Sequence, residues 1–407
     1  MNKYRLGDIA KVDISGIDKK TKKGQTAVRL CNFTDVYYNW AITKNLYDSL
    51  MEATASESDI ESFLLHKGMV AITKDSETRD DIGVAAYIAD DFEDVVLGYH
   101  CALIIPKEDI PEEERIYGKY LNALLHTRYA QKYFYNNATG SGQRYTLSKE
   151  SIEDMPVYLP AYKEQVCIGD YLSDIDKKIE VNDLIISELE AVAKQIYDYW
   201  FIQFDFPNEE GKPYKSSGGK MVWSDDLKRE IPENWDFGKI SSYLGKVIST
   251  PRLFTDEYLE SGKYPIIDQT NGVYFAGFTN REDAVSSQYP VVIFGDHSCA
   301  VKYVNFPFTR GADGTQVMVS KDNRISCEYL YFAVKNIRID KGYARHYSFI
   351  KDSILIIPTM TVAEKYKTIV KQLFEHSRNK RFENLKYERL RFSLLPLFTN
   401  GQITIKD

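Results

Sequence analysis

The chain has 407 residues, enough for two or more domains with cores of their own. Hydrophobic residues at 43% and charged residues at 27% are ordinary for a globular protein, and no run of about 18 apolar residues exists to span a membrane. The net charge of −7 excludes a generally basic nucleic-acid binder, so any nucleic-acid contact has to be local.

The opening residues, MNKYRLGDIAKVD, lack the apolar stretch of a signal peptide. Five cysteines (Cys31, Cys101, Cys167, Cys299 and Cys327) never form a CxxC pair and read as reduced thiols. A cytoplasmic location is the expectation.

Residues 1–160 read as a mixed α/β domain. Short β-rich runs, Met69 to Ile72 and Val84 to Ile88, alternate with Asp- and Gly-containing turns. A helix is expected from about Ile116 to Tyr135, then a loop of small residues from Asn136 to Gly142.

Residues 161–203 carry the clearest periodicity in the chain. Ile168, Leu172, Ile175, Ile179, Ile186, Leu189, Ala193, Ile196 and Trp200 recur at alternating steps of four and three, with Asn182 as the one break. A pattern sustained over about five heptads predicts a coiled-coil helix. Residues 204–236 follow as a linker whose core, Phe206 to Gly219, is rich in Gly, Ser and Pro.

Residues 237–358 form a second mixed domain, with strands expected at Pro290 to Phe294, Val301 to Val304 and Gln316 to Val319. Residues 359–398 are a second long helix, and 399–407 a tail. Its seam is less regular: Val362, Tyr366, Ile369 and Leu373, an interruption at His376 and Lys380, then Phe382, Leu385 and Phe392 in a shifted register. The first long stretch has four Lys/Arg against nine Asp/Glu, and the second has nine against four. Opposite charge beside apolar seams is how such helices choose each other, so an antiparallel pair within one molecule is expected.

The two halves also repeat each other loosely. Gln143-Arg144-Tyr145, Ser151-Ile152 and Pro156 align with Arg345-His346-Tyr347, Ser353-Ile354 and Pro358 at an offset of 202. Val84 to Tyr87 aligns with Ala300 to Tyr303 at 216, and Leu6-Gly7-Asp8-Ile9 with Phe237-Gly238-Lys239-Ile240 at 231. The consistent order points to a duplicated domain with loop-sized deletions. The expected fold class is α+β: two mixed α/β domains separated by two long antiparallel helices, with a pseudo-two-fold internal repeat.

Catalytic motifs are missing. No Pro-Pro pair exists for the Asn/Asp-Pro-Pro-aromatic loop of an amino-methyltransferase. Thr139 to Arg144 lacks the spacing and lysine of a P-loop, and Glu210-Gly211-Lys212 has no upstream acid placed for a nuclease. The six histidines never make an HxxxH or HExxH pair, so neither a catalytic nor a metal site is expected.

The words Gly140 to Ser148, Ser151 to Pro160 and Glu164-Gln165 resemble, in order, the passage from a recognition domain into a central helix in the specificity subunits of type I restriction–modification systems. Val222-Trp223-Ser224 with Glu230 to Trp235 resembles that family's approach to its second recognition domain. The second exit, Pro358 to Lys365, departs from the family pattern. The resemblance implies two target-recognition domains, 1–160 and 237–358, held apart by the helices of 161–203 and 359–398. It implies a non-catalytic, sequence-specific DNA-binding subunit that reads an asymmetric bipartite target on double-stranded DNA. It further implies methyltransferase subunits using S-adenosylmethionine, and a restriction/translocase subunit using ATP and Mg, as partners, with no cofactor on this chain and no membrane partner. About 40 helical residues at about 1.5 Å each would separate the heads by about 60 Å. The alternatives are a two-headed DNA-binding or scaffold protein outside restriction and a fused methyltransferase–specificity protein.

Base reading needs Arg or Lys for guanine and Asn or Gln for adenine, while phosphate contacts need only donors. The DNA-binding candidates in the first domain are Lys74, Arg79, Gln143, Arg144 and Tyr145. Those in the second are Asp296, His297, Lys302, Arg310, Arg345 and His346. The cluster Lys19-Lys20 with Lys22-Lys23 is either a phosphate-lining or a solvated loop.

Overall fold

A computed structural model describes residues 2–140, 142–311, 314–339 and 346–399. They fall into two compact units, one made of residues up to Val181 together with those from Glu383 onward, the other running from Asn182 to Phe382. The divisions lie inside two continuous helices, Tyr162–Tyr197 and Met360–Thr399.

In the first unit the opening strand Asn2–Arg5 pairs antiparallel with Pro156–Leu159. A five-stranded sheet follows in the order Ala10–Ile14, Cys101–Pro106, Val70–Thr73, Ala85–Ile88, Ala41–Ile42. Its side chains alternate between two cores. Val70, Ile72, Ala102 and Ile104 join one cluster; Ala71, Cys101 and Leu103 join the other. Burial on both faces explains why Val70–Thr73 is apolar without a polar alternation. The helix expected from Ile116 to Tyr135 is two helices, Gly118–Leu125 and Arg128–Asn137. The break is local chemistry: the Thr127 hydroxyl accepts from the Ala130 N–H (3.2 Å) and caps the second.

The second unit repeats the plan. Asp236–Lys239 pairs antiparallel with Ile354–Ile357, and the three-stranded sheet Val301–Val304, Val291–Gly295, Thr315–Met318 repeats the centre of the first. A four-stranded sheet built around Tyr264–Ile267 and Phe308–Arg310 adds a further core. The middle word of the repeat, Val84 to Tyr87 with Ala300 to Tyr303, holds its offset of 216 in the strand pairing, but the two ends are in a different register from the one their words suggest. Arg5 faces Pro156 as Lys239 faces Ile354, and the Leu6 N–H donates to Met155 O as Ile240 N–H does to Ser353 O, both at 2.9 Å. Arg5 and Lys239 pair with Asp154 and Asp352 respectively. The structural offsets are therefore 234 and 198, not 231 and 202. Backbone pairing, with the ion pair behind it, decides equivalence; chance matches such as Gly-x-Ile do not.

The two long helices run antiparallel within each unit. In the first, Tyr171 meets Phe398 and Asp176 pairs with Arg391 (2.9 Å), while Asn384 Nδ2 donates to Ile179 O. In the second, Tyr197, Trp200 and Phe201 surround Tyr366 with ring centroids 4.8–6.5 Å apart. All nine seam residues expected in the first helix are buried or half-buried. The second helix departs from expectation. Ile369 and Phe392 are exposed, and Val362, Tyr366, Val370 and Phe374 carry the contact. That spacing of four is a straight helix laying one broad stripe on a domain core, not a narrow heptad seam.

Residues 204–236, expected as a linker, are ordered by their aromatics. Phe206 stacks between Tyr214 (4.6 Å) and Trp235 (5.1 Å), and Met221–Ser224 pairs with Arg229–Pro232 as a hairpin. The Asp205 carboxylate accepts from the Ser216 N–H and hydroxyl at 2.7 and 2.6 Å, fastening the Gly/Ser stretch.

Candidate nucleic-acid interface

In the first unit the central strand Val70–Thr73 ends at a polar rim. The Lys74 N–H donates to His100 O (2.9 Å), and the Leu147 N–H donates to Lys74 O (2.8 Å). Asp75–Ser76 then pairs with Tyr145–Thr146, which pairs with Thr139–Gly140. This small ladder brings the exit segment onto the end of the sheet. Gly140, at φ 148°, lies so close to Arg144 O that a Cβ there would collide with it.

The Asp75 carboxylate organises the rim. Its Oδ2 accepts from Lys74 Nζ at 2.7 Å, meets His100 Nδ1 at 2.8 Å and accepts from Arg144 Nη2 at 3.2 Å. Burial by itself would raise this acid; the hydrogen bonds from Lys74, His100 and Thr146 outweigh it and hold the carboxyl at about 2. Beside it the Arg79 guanidinium lies 4.9 Å from the Tyr145 ring centroid, and Gln143 is exposed on the same loop. The structure thus brings Lys74, Arg79, Arg144 and Tyr145 together with Gln143 nearby. It adds Asp75 and His100, which sequence reasoning missed. The register Cys101↔Thr73 sets His100 opposite Lys74, and no local pattern announces a cross-strand pairing.

In the second unit the fully buried strand Val291–Gly295 ends the same way, at Asp296. The Asp296 N–H donates to Gly314 O, and its Oδ1 accepts from the Tyr347 N–H, both at 2.8 Å. The exposed His297 donates its backbone N–H to Gln269 Oε1 (3.2 Å). His346 precedes Tyr347 at the start of the helix His346–Asp352. Burial raises the Tyr347 hydroxyl; the half-buried Arg310 opposes the shift and Asp296 adds to it. Asp296 and Arg310 therefore lie near Tyr347, with His297 and His346 beside them in the chain. Arg345 lies outside the described residues. Lys302 is set apart from them: it is buried, with Nζ donating to Val273 O at 2.7 Å.

The two rims share a backbone plan and differ in chemistry. In the first rim Asp75 is ringed by Lys74, His100 and Arg144; in the second Asp296 accepts from the Tyr347 backbone N–H, and His297 and His346 are the chain neighbours of that pair. Such groups can donate to phosphates and to base edges. Among the described residues no group of three or more His, Cys, Asp or Glu side chains is placed to hold a metal ion, and no helix is long and apolar enough to cross a membrane.

A family model for the type I restriction modification DNA specificity domain matches residues 1–191. The MjaIX specificity subunit of a type I restriction enzyme from Methanocaldococcus jannaschii is 24% identical over 328 residues, covering 75% of this chain and 72% of that protein. The HindI specificity subunit from Haemophilus influenzae is 22% identical over 399 residues, covering 81% and 85%. Among solved structures, the type I restriction–modification S subunit from M. genitalium superposes with a TM-score of 0.53 over 98% of this chain and 95% of that one. At 15% identity it is a likeness of fold.

Proposed function

We propose that the chain is a member of the type I restriction–modification specificity family and the non-catalytic subunit that selects the DNA target of such a complex. It reads an asymmetric, bipartite site on double-stranded DNA with one domain per half-site, residues 1–160 and 237–358, joined through the helices of 161–203 and 359–398. Methyltransferase and restriction subunits are its partners, and they supply S-adenosylmethionine, ATP and Mg chemistry.

The observation that carries this reading is the duplicated rim: Lys74 and Asp296 hold the same backbone position after the central strand, donating their N–H to His100 O and Gly314 O, and each rim is tied to its exit segment by different side chains. Two copies of one scaffold with unlike donors suit two unlike half-sites. Lys74, Arg79, Gln143, Arg144 and Tyr145 would serve the first; Asp296, His297, Arg310, Arg345 and His346 would serve the second. In a chain with a net charge of −7, phosphate contacts are few, so binding by the isolated chain is weak and salt-sensitive, and partner surfaces strengthen it.

The test is reconstitution with cognate modification subunits on a library of duplexes, reading which adenines become methylated. A two-part motif is expected. Exchanging residues 237–358 for a relative's should alter one part only. A single contiguous motif, or a change in both parts, overturns the reading.

A further inference from the structure

Lys302 leads to a cavity that DNA recognition leaves unused. The cavity measures about 530 Å³ and lies wholly within the second unit, within the usual range of about 300–1000 Å³ for small-molecule sites. Four cations line it, Lys302, Lys335, Arg378 and Arg381, against one carboxylate, Glu190. Glu190 is already engaged by the Tyr331 hydroxyl and by Lys335 Nζ at 2.7 Å. Asp268, behind the wall, is 3.9 Å from Lys302 Nζ. Arg378 is turned toward neutral partners, Asn305 O and Asn379 Oδ1, and Arg381 lies 4.0 Å from the Tyr274 ring centroid.

Burial brings the Lys302 ammonium down to about 8; Asp268 resists the shift, and the charge of Arg381 adds to it. The site therefore has an excess of positive charge in a poorly solvated space, the condition under which an anion is held strongly. Tyr274, Tyr303 and Tyr331 line it beside those cations, but Tyr303 and Tyr331 are almost wholly buried and Arg381 lies over the Tyr274 ring, so the charged groups are what the cavity offers a ligand. The depth speaks against a duplex backbone, since Lys302 is only 8% exposed.

We propose that this cavity binds a free nucleotide through its phosphates, held on Lys302, Arg378 and Arg381. The site is separate from the recognition role, so either reading stands or falls alone: the methylation motif tests one, and ligand binding the other.

The experiment uses the full chain with ATP, ADP, AMP, inorganic phosphate, adenosine and a short duplex as probes, followed by calorimetry. Saturable binding of at least one nucleotide is expected, with inorganic phosphate weaker and adenosine undetectable. Lys302→Met and Arg381→Gln should each weaken it at least about tenfold, as loss of one charged hydrogen bond does. Because either variant can perturb folding, the wild-type chain provides a second readout. Cys299 lines the cavity, and a bound nucleotide should slow its labelling by a thiol reagent, as followed by peptide mass spectrometry. Adenosine binding as tightly as AMP, no saturable nucleotide binding, unprotected Cys299, or folded variants that bind like the wild type would each overturn the proposal. Displacement of the nucleotide by the duplex would reassign the phosphate site to DNA and overturn it too.

Discussion

His126 makes the stability of the first unit sensitive to mild acid. It caps the C-terminal end of Gly118–Leu125, stacks on Trp40 at 4.3 Å and sets Nε2 2.9 Å from Ala85 O. Arg391, from the second long helix, also lies over Trp40 at 4.3 Å. Burial, reinforced by the Arg391 charge and opposed by Ala85 O, lowers the imidazole to about 4 from its ordinary 6.5. The unfolded chain then takes up a proton at a higher pH than the folded one. The stabilisation is complete above pH 6.5 and drains away as pH falls toward 4, about 3 kcal/mol at 1.36 kcal/mol per unit. His126→Phe keeps the ring stack and strands Ala85 O, which costs about 1–2 kcal/mol at pH 7. Urea unfolding at pH 7, 6, 5 and 4, with hydrogen exchange of residues 118–137 to identify the unit, compares the two chains. The variant should begin less stable and end more stable, the curves crossing near pH 5. Parallel curves would show that His126 is not held neutral by its surroundings and would refute the argument.

Tyr366→Ala should cost about 3–5 kcal/mol in unfolding of the second unit, because the ring is fully buried among Tyr197, Trp200 and Phe201. Tyr366→Phe should be neutral or slightly stabilising, since its buried hydroxyl has no hydrogen-bond partner among the described residues. Asp75→Asn should release Lys74, His100 and Arg144 and relax one half of the methylation motif while sparing the other, read by methylation sequencing. The stability that Asp75 contributes is present above its unfolded value of 3.8 and is lost as pH falls through about 2, so the variant should be flatter there in acid unfolding. Gly140→Ala should loosen the exit ladder, seen as faster hydrogen exchange at Tyr145 and Thr146.

Periodicity made the first long helix legible, since one stripe of apolar residues serves it from Ile168 to Trp200. The second helix obeys a different geometry. Ile369 and Val370 are adjacent apolar residues, and only the core they meet decides which one turns inward. Asp75 and His100 illustrate a second limit, because their meeting depends on strand register across 25 residues. Lys302 shows a third. It occupies a strand position where alternation alone does not say whether the side chain faces solvent or a cavity, and the answer comes from Val273 O. The aromatic order of residues 204–236 was hidden by their Gly, Ser and Pro content, although Phe204, Phe206, Tyr214 and Trp235 were the available signal.

The first unit is discontinuous in the chain, and this bears on how the protein is made. Leu395 and Phe398, with Arg391 above Trp40, belong to the core begun by residues before Val181, yet all of the second unit is translated between them. At about 5–20 residues per second, the ribosome leaves that core without its closing helix for roughly 10–40 s. Throughout that interval the half-built unit lacks the cover that Phe398 gives Tyr171 and Arg391 gives Trp40. The nascent chain is then at its most vulnerable to proteases and to neighbouring polypeptides, and a helper that shields this face would act before release, not after.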